Sequence, residues 1–152
     1  MSNNLPKETL AFKIGLSGTF WDKKPKCSVL INNKLIQQLE LDDEITYVEF
    51  TADFEENTVN KLGIRLENKE DSDTIATELD GGGHDIIKDM LLNIESIEID
   101  EISLDSLIWS ASIYVPDNPG QPSLDNCVNL GWNGEYILEF TSPFYLWLLE
   151  KI

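Results

Sequence analysis

The chain is poor in basic residues. Its 152 residues carry 11 Lys and Arg against 28 Asp and Glu, a net charge of −17. A surface this negative repels phosphate backbones and anionic lipid heads, so nucleic acid and membrane surfaces are excluded as partners, and cations or basic partners are favoured. Histidine is nearly absent: His84 is the only one, which excludes a multi-histidine metal centre. Cys27 and Cys127 lie far apart, and two such cysteines make neither a zinc set nor a disulfide framework. Whether they pair in space stays open. No apolar run approaches the roughly 20 residues of a membrane span. Met1 to Glu8 has no apolar core, so no secretory signal is expected. The chain has no Gly-rich phosphate loop, nucleophile elbow or HExxH. Among so many carboxylates, the choice of any two as a glycosidase dyad is uninformative. An enzyme is not expected.

What is present is alternation. Leu10, Phe12, Ile14 and Leu16 alternate with small or polar residues, the period-2 mark of a half-buried strand. Cys27–Ile31 and Lys34–Leu39 flank Asn32-Asn33, residue types that tolerate positive φ, and read as a two-residue hairpin. Ile45–Thr51 and Lys61–Asn68 read as strands, the second facing inward through Leu62, Ile64 and Leu66. Leu92, Ile94, Ile97 and Ile99 suit one strand. A bend at Asp100-Glu101 and a second short strand through Ile102, Leu104, Leu107 and Ile108 follow. Ser110–Val115 and Glu135–Phe140 are β-like around a Pro/Gly loop from Pro116 to Pro122 and a turn at Gly131–Gly134. About eight or nine short strands at roughly ten-residue spacing imply an all-β, antiparallel β-sandwich of jelly-roll type. The division expected is a flexible arm over residues 1–9, the sandwich over 10–142, and an apolar C-terminal anchor over 143–152. Ser142-Pro143 offers a helix N-cap followed by Pro at the first helical position, so Phe144–Lys151 is a short helix or a final strand.

Phe12, Tyr47, Phe50 and Phe140 fall within strand patterns and are assigned to the core. Trp21, Trp109, Trp132 and Tyr114 fall at strand ends or beside loops, where a ring can stack on a sugar, anchor a protein partner or cap the sandwich. Phe144, Leu146, Trp147 and Leu149 make the C-terminal segment apolar nearly all round. Its cover is either the domain's own core or a neighbouring subunit.

The long polar stretch from Lys69 to Lys88 is expected to be loop, with Gly81-Gly82-Gly83 and His84 exposed within it. From Leu66 to Asp105 the chain holds 13 carboxylates against Lys69 and Lys88. Repulsion this dense is relieved by solvent or by a hard cation such as Ca²⁺, which takes six to eight oxygen ligands. The candidate metal ligands are Asn68, Asp71, Asp73 and Asp89, and a plain solvated acidic loop is the other reading.

Two resemblances follow from these residues. Ile64–Asn68, the acidic loop, and Asp89–Ile99 resemble the small calcium-dependent xylan-binding modules, in which a strand ending in Asn leads through an acidic loop to a Leu-x-Val-Asp-x-Ile strand. That resemblance implies calcium or glycan contacts near Asn68, Asp71, Asp73 and Asp89. A broader set, Gly18–Pro25, Asn68-Lys69 with Asp73-Thr74, Leu92–Asp100, Ser112–Asp117, Leu130–Gly134 and Ser142–Glu150, resembles small proteins of tailed marine bacteriophages, notably cyanophages. It implies a non-enzymatic virion structural protein, a capsid decoration or a tail or fibre component. Such a protein is assembled in the host cytoplasm and bound to other virion subunits or to copies of itself. It carries no site residue over. A calcium-dependent carbohydrate-binding module is the alternative function.

Overall fold

The computed structural model describes residues 6–151. In chain order the elements are β1 (Lys7–Thr19), β2 (Lys26–Ile31), β3 (Lys34–Glu40), β4 (Thr46–Glu55) and β5 (Val59–Leu66). A 3₁₀ turn (Asp71–Asp73), β6 (Ile75–Glu78), β7 (His84–Lys88), β8 (Leu91–Ile99), β9 (Ile102–Ser103) and α1 (Leu107–Ser110) follow. The chain then forms β10 (Ser112–Pro116), β11 (Leu124–Asp125), β12 (Asn129–Leu130), β13 (Gly134–Thr141) and α2 (Phe144–Lys151). One sheet has the order β12-β8-β1-β4, with β9 also on β8. The other has the order β11-β10-β13-β5-β2-β3. A single apolar cluster combines the inner faces of the two sheets, so the expected antiparallel β-sandwich is what forms.

Alternation positions the main strands as expected. Leu10, Phe12, Ile14 and Leu16 of β1 face Leu62, Ile64 and Leu66 of β5 and Tyr136, Leu138 and Phe140 of β13 in that cluster. Asn32 and Asn33 take φ of 49° and 69° in the β2–β3 hairpin, and Asp100 and Glu101 take 51° and 66° between β8 and β9. Both are turns with two consecutive positive φ values, the geometry that matches strand twist. The three-residue step from Ile94 to Ile97 is a β-bulge. Gly15 pairs with Ser96 and Leu16 with Ile94, so Glu95 is the extra residue, and it accepts a 2.7 Å hydrogen bond from the Ser17 hydroxyl. The bulge keeps Leu92, Ile94, Ile97 and Ile99 all inward.

Several expectations are corrected. β1 begins at Lys7, not Leu10, because Lys7, Glu8 and Thr9 pair with Glu55, Phe54 and Asp53. Residues 7–9 of the expected arm are therefore strand, and its residues 1–5 lie outside the described residues. Tyr47 is exposed, since the inward positions of β4 are Val48, Phe50, Ala52 and Phe54. Lys13 Nζ lies 4.7 Å above its ring. Leu107 and Ile108 belong to a helical turn, α1, and not to a strand. The stretch read as loop holds the β6–β7 ribbon, with Gly81, Gly82 and Gly83 at its tip at φ of 91°, 100° and 90°. His84 opens β7, and its side chain lies outside the described part of the structure. Cys27 and Cys127 are both free. Burial first, and then the charge of Glu67, pushes the Cys27 thiol up to about 12.

α2 is a helix, and its N-terminus is not capped by Ser142. The Glu8 carboxylate reaches over from β1 and accepts hydrogen bonds from Phe144 N at 2.7 Å and from the Ser142 hydroxyl at 2.6 Å. Phe144 and Trp147 point into the core, with Trp147 4% exposed, whereas Leu146 and Leu149 are 58% and 66% exposed. The four anchor residues therefore divide. Helical spacing places Phe144 and Trp147 on one face and leaves Leu146 and Leu149 on the other.

Candidate functional site

The C-terminal ends of β1, β5 and β10 meet the N-terminal ends of β2, β8 and β13 at one end of the sandwich. Loops from these strands enclose a cleft of about 540 Å³, lined by Lys69, Glu70, Asp71, Thr74, Asp117, Asn118, Gln121, Gly131, Trp132 and Asn133. Three separate loops contribute: the one after β5, the one after β10, and the turn before β13.

Each wall is pinned by a specific polar contact. Asn133 closes a side-chain bridge to Lys69: its Oδ1 accepts from Lys69 N at 2.8 Å and its Nδ2 donates to Lys69 O at 3.0 Å. Asp117 is held by Arg65, whose Nη2 lies 2.7 Å from both carboxylate oxygens. Arg65 also donates to Glu135 Oε1 at 3.2 Å. Charge-assisted pairs of this kind fix loop position as well as contributing energy. Gly134, which follows the cleft residue Asn133 and opens β13, is needed where it packs on β10: an added Cβ would lie 2.5 Å from the Val115 carbonyl oxygen.

The aromatics expected at the site separate. Trp132 lines the cleft, half-buried, and its ring stacks on Tyr114 at 6.0 Å between centroids. Its Nε1 is buried without a hydrogen-bond partner. Tyr114 is 1% exposed and lies under Trp132 as core. Its hydroxyl donates to the Trp132 carbonyl and accepts from Trp132 N at 3.2 Å. Tyr114 is thus a support for the cleft and not a ligand contact. Trp21 stands beside the cleft end: its Nε1 donates to the Asp73 carbonyl at 2.9 Å, and Lys88 Nζ sits 5.0 Å above its ring. Trp109 is on α1 at the other end of the sandwich, 45% exposed.

The four residues proposed as metal ligands lie at the cleft end, but the side-chain polar atoms of three of them, Asn68, Asp73 and Asp89, have other partners. Asn68 is engaged with Lys26 N and the Lys24 carbonyl, at 2.8 and 3.0 Å. Asp73 is buried, accepts from Glu70 N at 2.7 Å, and pairs with Lys23 at 3.1 Å. Asp89 accepts from Lys69 Nζ at 2.6 Å, from the Thr74 hydroxyl at 2.6 Å and from Met90 N at 2.8 Å. Asp71 is exposed on the cleft wall. Among the described residues, no three His, Cys, Asp or Glu side chains converge as a metal-ligating group. Burial pushes the Asp89 carboxyl up. The hydrogen bonds from Lys69, Thr74 and Met90 and the Lys69 charge outweigh that and hold it below its ordinary value.

Asp117, Asn118, Gln121 and Asn133 are cleft residues that the sequence pattern did not single out. The available signal was Asp117-Asn118-Pro119-Gly120-Gln121, a turn carrying amide and carboxylate side chains. That composition marks a loop without saying what the loop faces.

No family model matches the chain, and no curated protein matches it in sequence. Solved structures do match in fold. One is vCBM60 in complex with galactobiose, with 12% identity and a TM-score of 0.50, covering 84% of this chain and 96% of that one. Another is the selenomethionine form of vCBM60, described with a circular permutation that links two families of calcium-dependent carbohydrate binding modules. It shows 11% identity and a TM-score of 0.51, covering 85% of this chain and 89% of that one. At these identities the likeness establishes the β-sandwich fold of those modules. Among the described residues no helix is long and apolar enough to cross a membrane.

Proposed function

We propose that this chain is a non-enzymatic carbohydrate-binding module, with the glycan seated in the cleft against Trp132. The observation that carries the reading is the composition of that cleft: one aromatic face among hydroxyl, amide and carboxylate side chains, held open by three pinned loops. Sugars present an apolar C–H face and a ring of hydroxyls. An indole takes the first by stacking, and side chains such as Thr74, Asn118, Gln121 and Asp71 take the second by hydrogen bonds. Glu70 and Asp117 are already ion-paired, to Lys23 and Arg65, which suits binding better than acid–base chemistry. The fold likeness to glycan-binding modules supports the same reading. The virion structural role, with its virion partners and localisation, finds no support in these fold neighbours.

The test is calorimetric titration of the full chain with neutral oligosaccharides, galactobiose and a xylo-oligosaccharide among them. Binding is expected for at least one. Trp132→Ala should weaken it by about tenfold or more, roughly the 1.4 kcal/mol of one lost stacking contact. Absence of binding at millimolar sugar, or a Trp132→Ala variant that binds as tightly as the wild type, overturns the proposal.

A further inference from the structure

The calcium dependence of the fold's neighbours raises the question of which cation this cleft uses. A calcium site gathers carboxylate and carbonyl oxygens around a metal. The residues present do not fit that ion, because three of the four candidate donors are already taken, Asp89 and Asp73 by lysine ammoniums and Asn68 by backbone groups. Lys69 Nζ is bonded to Asp89 Oδ1 at 2.6 Å and to the carbonyl of Gly131, a carboxylate and a backbone oxygen from two different loops. Its side chain is only 10% exposed, and that of Asp89 is 20% exposed. Thr74 and Met90 N complete the shell around the same Asp89 oxygen. Lys23 does the equivalent for the buried Asp73. Asn68 has both its amide atoms bonded to backbone, which leaves Asp71 as a single exposed carboxylate on the cleft wall.

We infer that the Lys69 ammonium is the resident cation of this site. It ties the loop after β5 to the turn before β13 and to the start of β8. It does by a covalently tethered charge what a hard metal ion does by coordination. An ammonium carries three N–H donors. Two are used by Asp89 and Gly131, and Lys69 lines the cleft, so the third is left for a hydroxyl of the bound ligand. That last clause rests on the glycan-binding reading. The cation role itself does not.

Two sets of measurements on the full chain separate these parts. The first is thermal melting in EDTA, in millimolar CaCl₂ and in MgCl₂ at equal concentration, the magnesium arm correcting for screening of the −17 charge. The wild type should melt at the same temperature in calcium and in magnesium. Lys69→Met should lower the melting temperature by roughly 2–8 °C, and Lys69→Arg should recover most of that loss. A calcium-specific rise in the wild type overturns the inference. So does a Lys69→Met variant that melts like the wild type. The second is titration of the neutral sugar that the wild type binds, repeated in EDTA. Affinity should be unchanged by the chelator and reduced about tenfold in Lys69→Met. Loss of binding in EDTA overturns the inference even if Lys69→Met fails to fold. Unchanged affinity in a folded Lys69→Met removes the ligand contact. If no sugar binds at all, the glycan-binding reading fails, and the melts still judge the cation.

Discussion

The two ends of the sandwich are built by opposite means. At the α2 end, Phe12, Phe54, Phe140, Phe144 and Trp147 form a chain of rings with centroids 5.2 to 6.4 Å apart, stacked, tilted or edge-on, and each ring is buried. There Glu8 of β1 accepts hydrogen bonds from the Ser142 hydroxyl and from Phe144 N at the start of α2. At the cleft end the loops are held by Lys69, Arg65, Asn68, Asn133 and Lys23 through side-chain hydrogen bonds and ion pairs. Burial is non-directional and scales with area, so one end gains most of its stability from it. Polar contacts net little stability but demand geometry, so the other end gains fixed loop positions. A stable end thus supports an end whose loop positions are set by directional contacts.

The comparison can be broken by mutation, beginning with the largest effect. Trp147→Ala should cost about 3–5 kcal/mol in urea denaturation, because it removes a large ring from a packed cluster. A loss under about 1 kcal/mol would show that the α2 end does not carry the stability assigned to it. Asp89→Asn should cost about 1.5–3 kcal/mol at neutral pH, the range for hydrogen bonds to charged groups. Here pH sharpens the contrast. The folded carboxyl is held below its ordinary value of 3.8, so its stabilisation is present above the unfolded value, near 3.9, and is lost as pH falls through the lowered folded value. The stability gap between wild type and Asp89→Asn should therefore persist at pH 6 and close below about pH 4, as read by urea midpoints across that range. Glu8→Ala should cost about 1–2 kcal/mol, the usual loss when a helix N-terminus is left without its acceptor, with little change at the cleft. Leu146→Ser and Leu149→Ser should stay within about 0.5 kcal/mol of the wild type, since both lie on the outer face of α2.

Legibility follows the same division. The inward set of β1 could be read from Leu10 to Leu16 because the pleat is a local property. The step from Ile94 to Ile97 hid a bulge, whose partner Gly15 lies on a strand far away in the chain. Tyr47 misled because Ile45, two residues before it, also puts an apolar side chain on the outward side, so both phases of the Ile45–Thr51 pattern carry apolar residues. The C-terminal segment read as one apolar block, while a helix packed on one face can bury only Phe144 and Trp147. Its cap could not be read at all: Ser142 has the right type and place, yet the acceptor is Glu8, 136 residues from Phe144. At the site, Trp132 was legible as a loop-edge ring. Tyr114, equally loop-adjacent, proved to be its buried support, because β10 turns that side chain inward.

What the chain's order of residues determined by itself is the sandwich: alternation selects the inner faces, and paired Asn residues or a Gly run supply the turns, each by interactions within a few residues. The excess of carboxylates and the scarcity of basic groups are likewise properties of the sequence. Which of those few lysines meets which carboxylate was decided only in three dimensions. Lys69 finds Asp89 and Gly131, Lys23 finds Asp73, and Arg65 finds Asp117 because strand ends from both sheets converge at one pole. An ion pair needs its partners within about 4 Å, and for residues 20 to 62 positions apart only tertiary packing sets that distance.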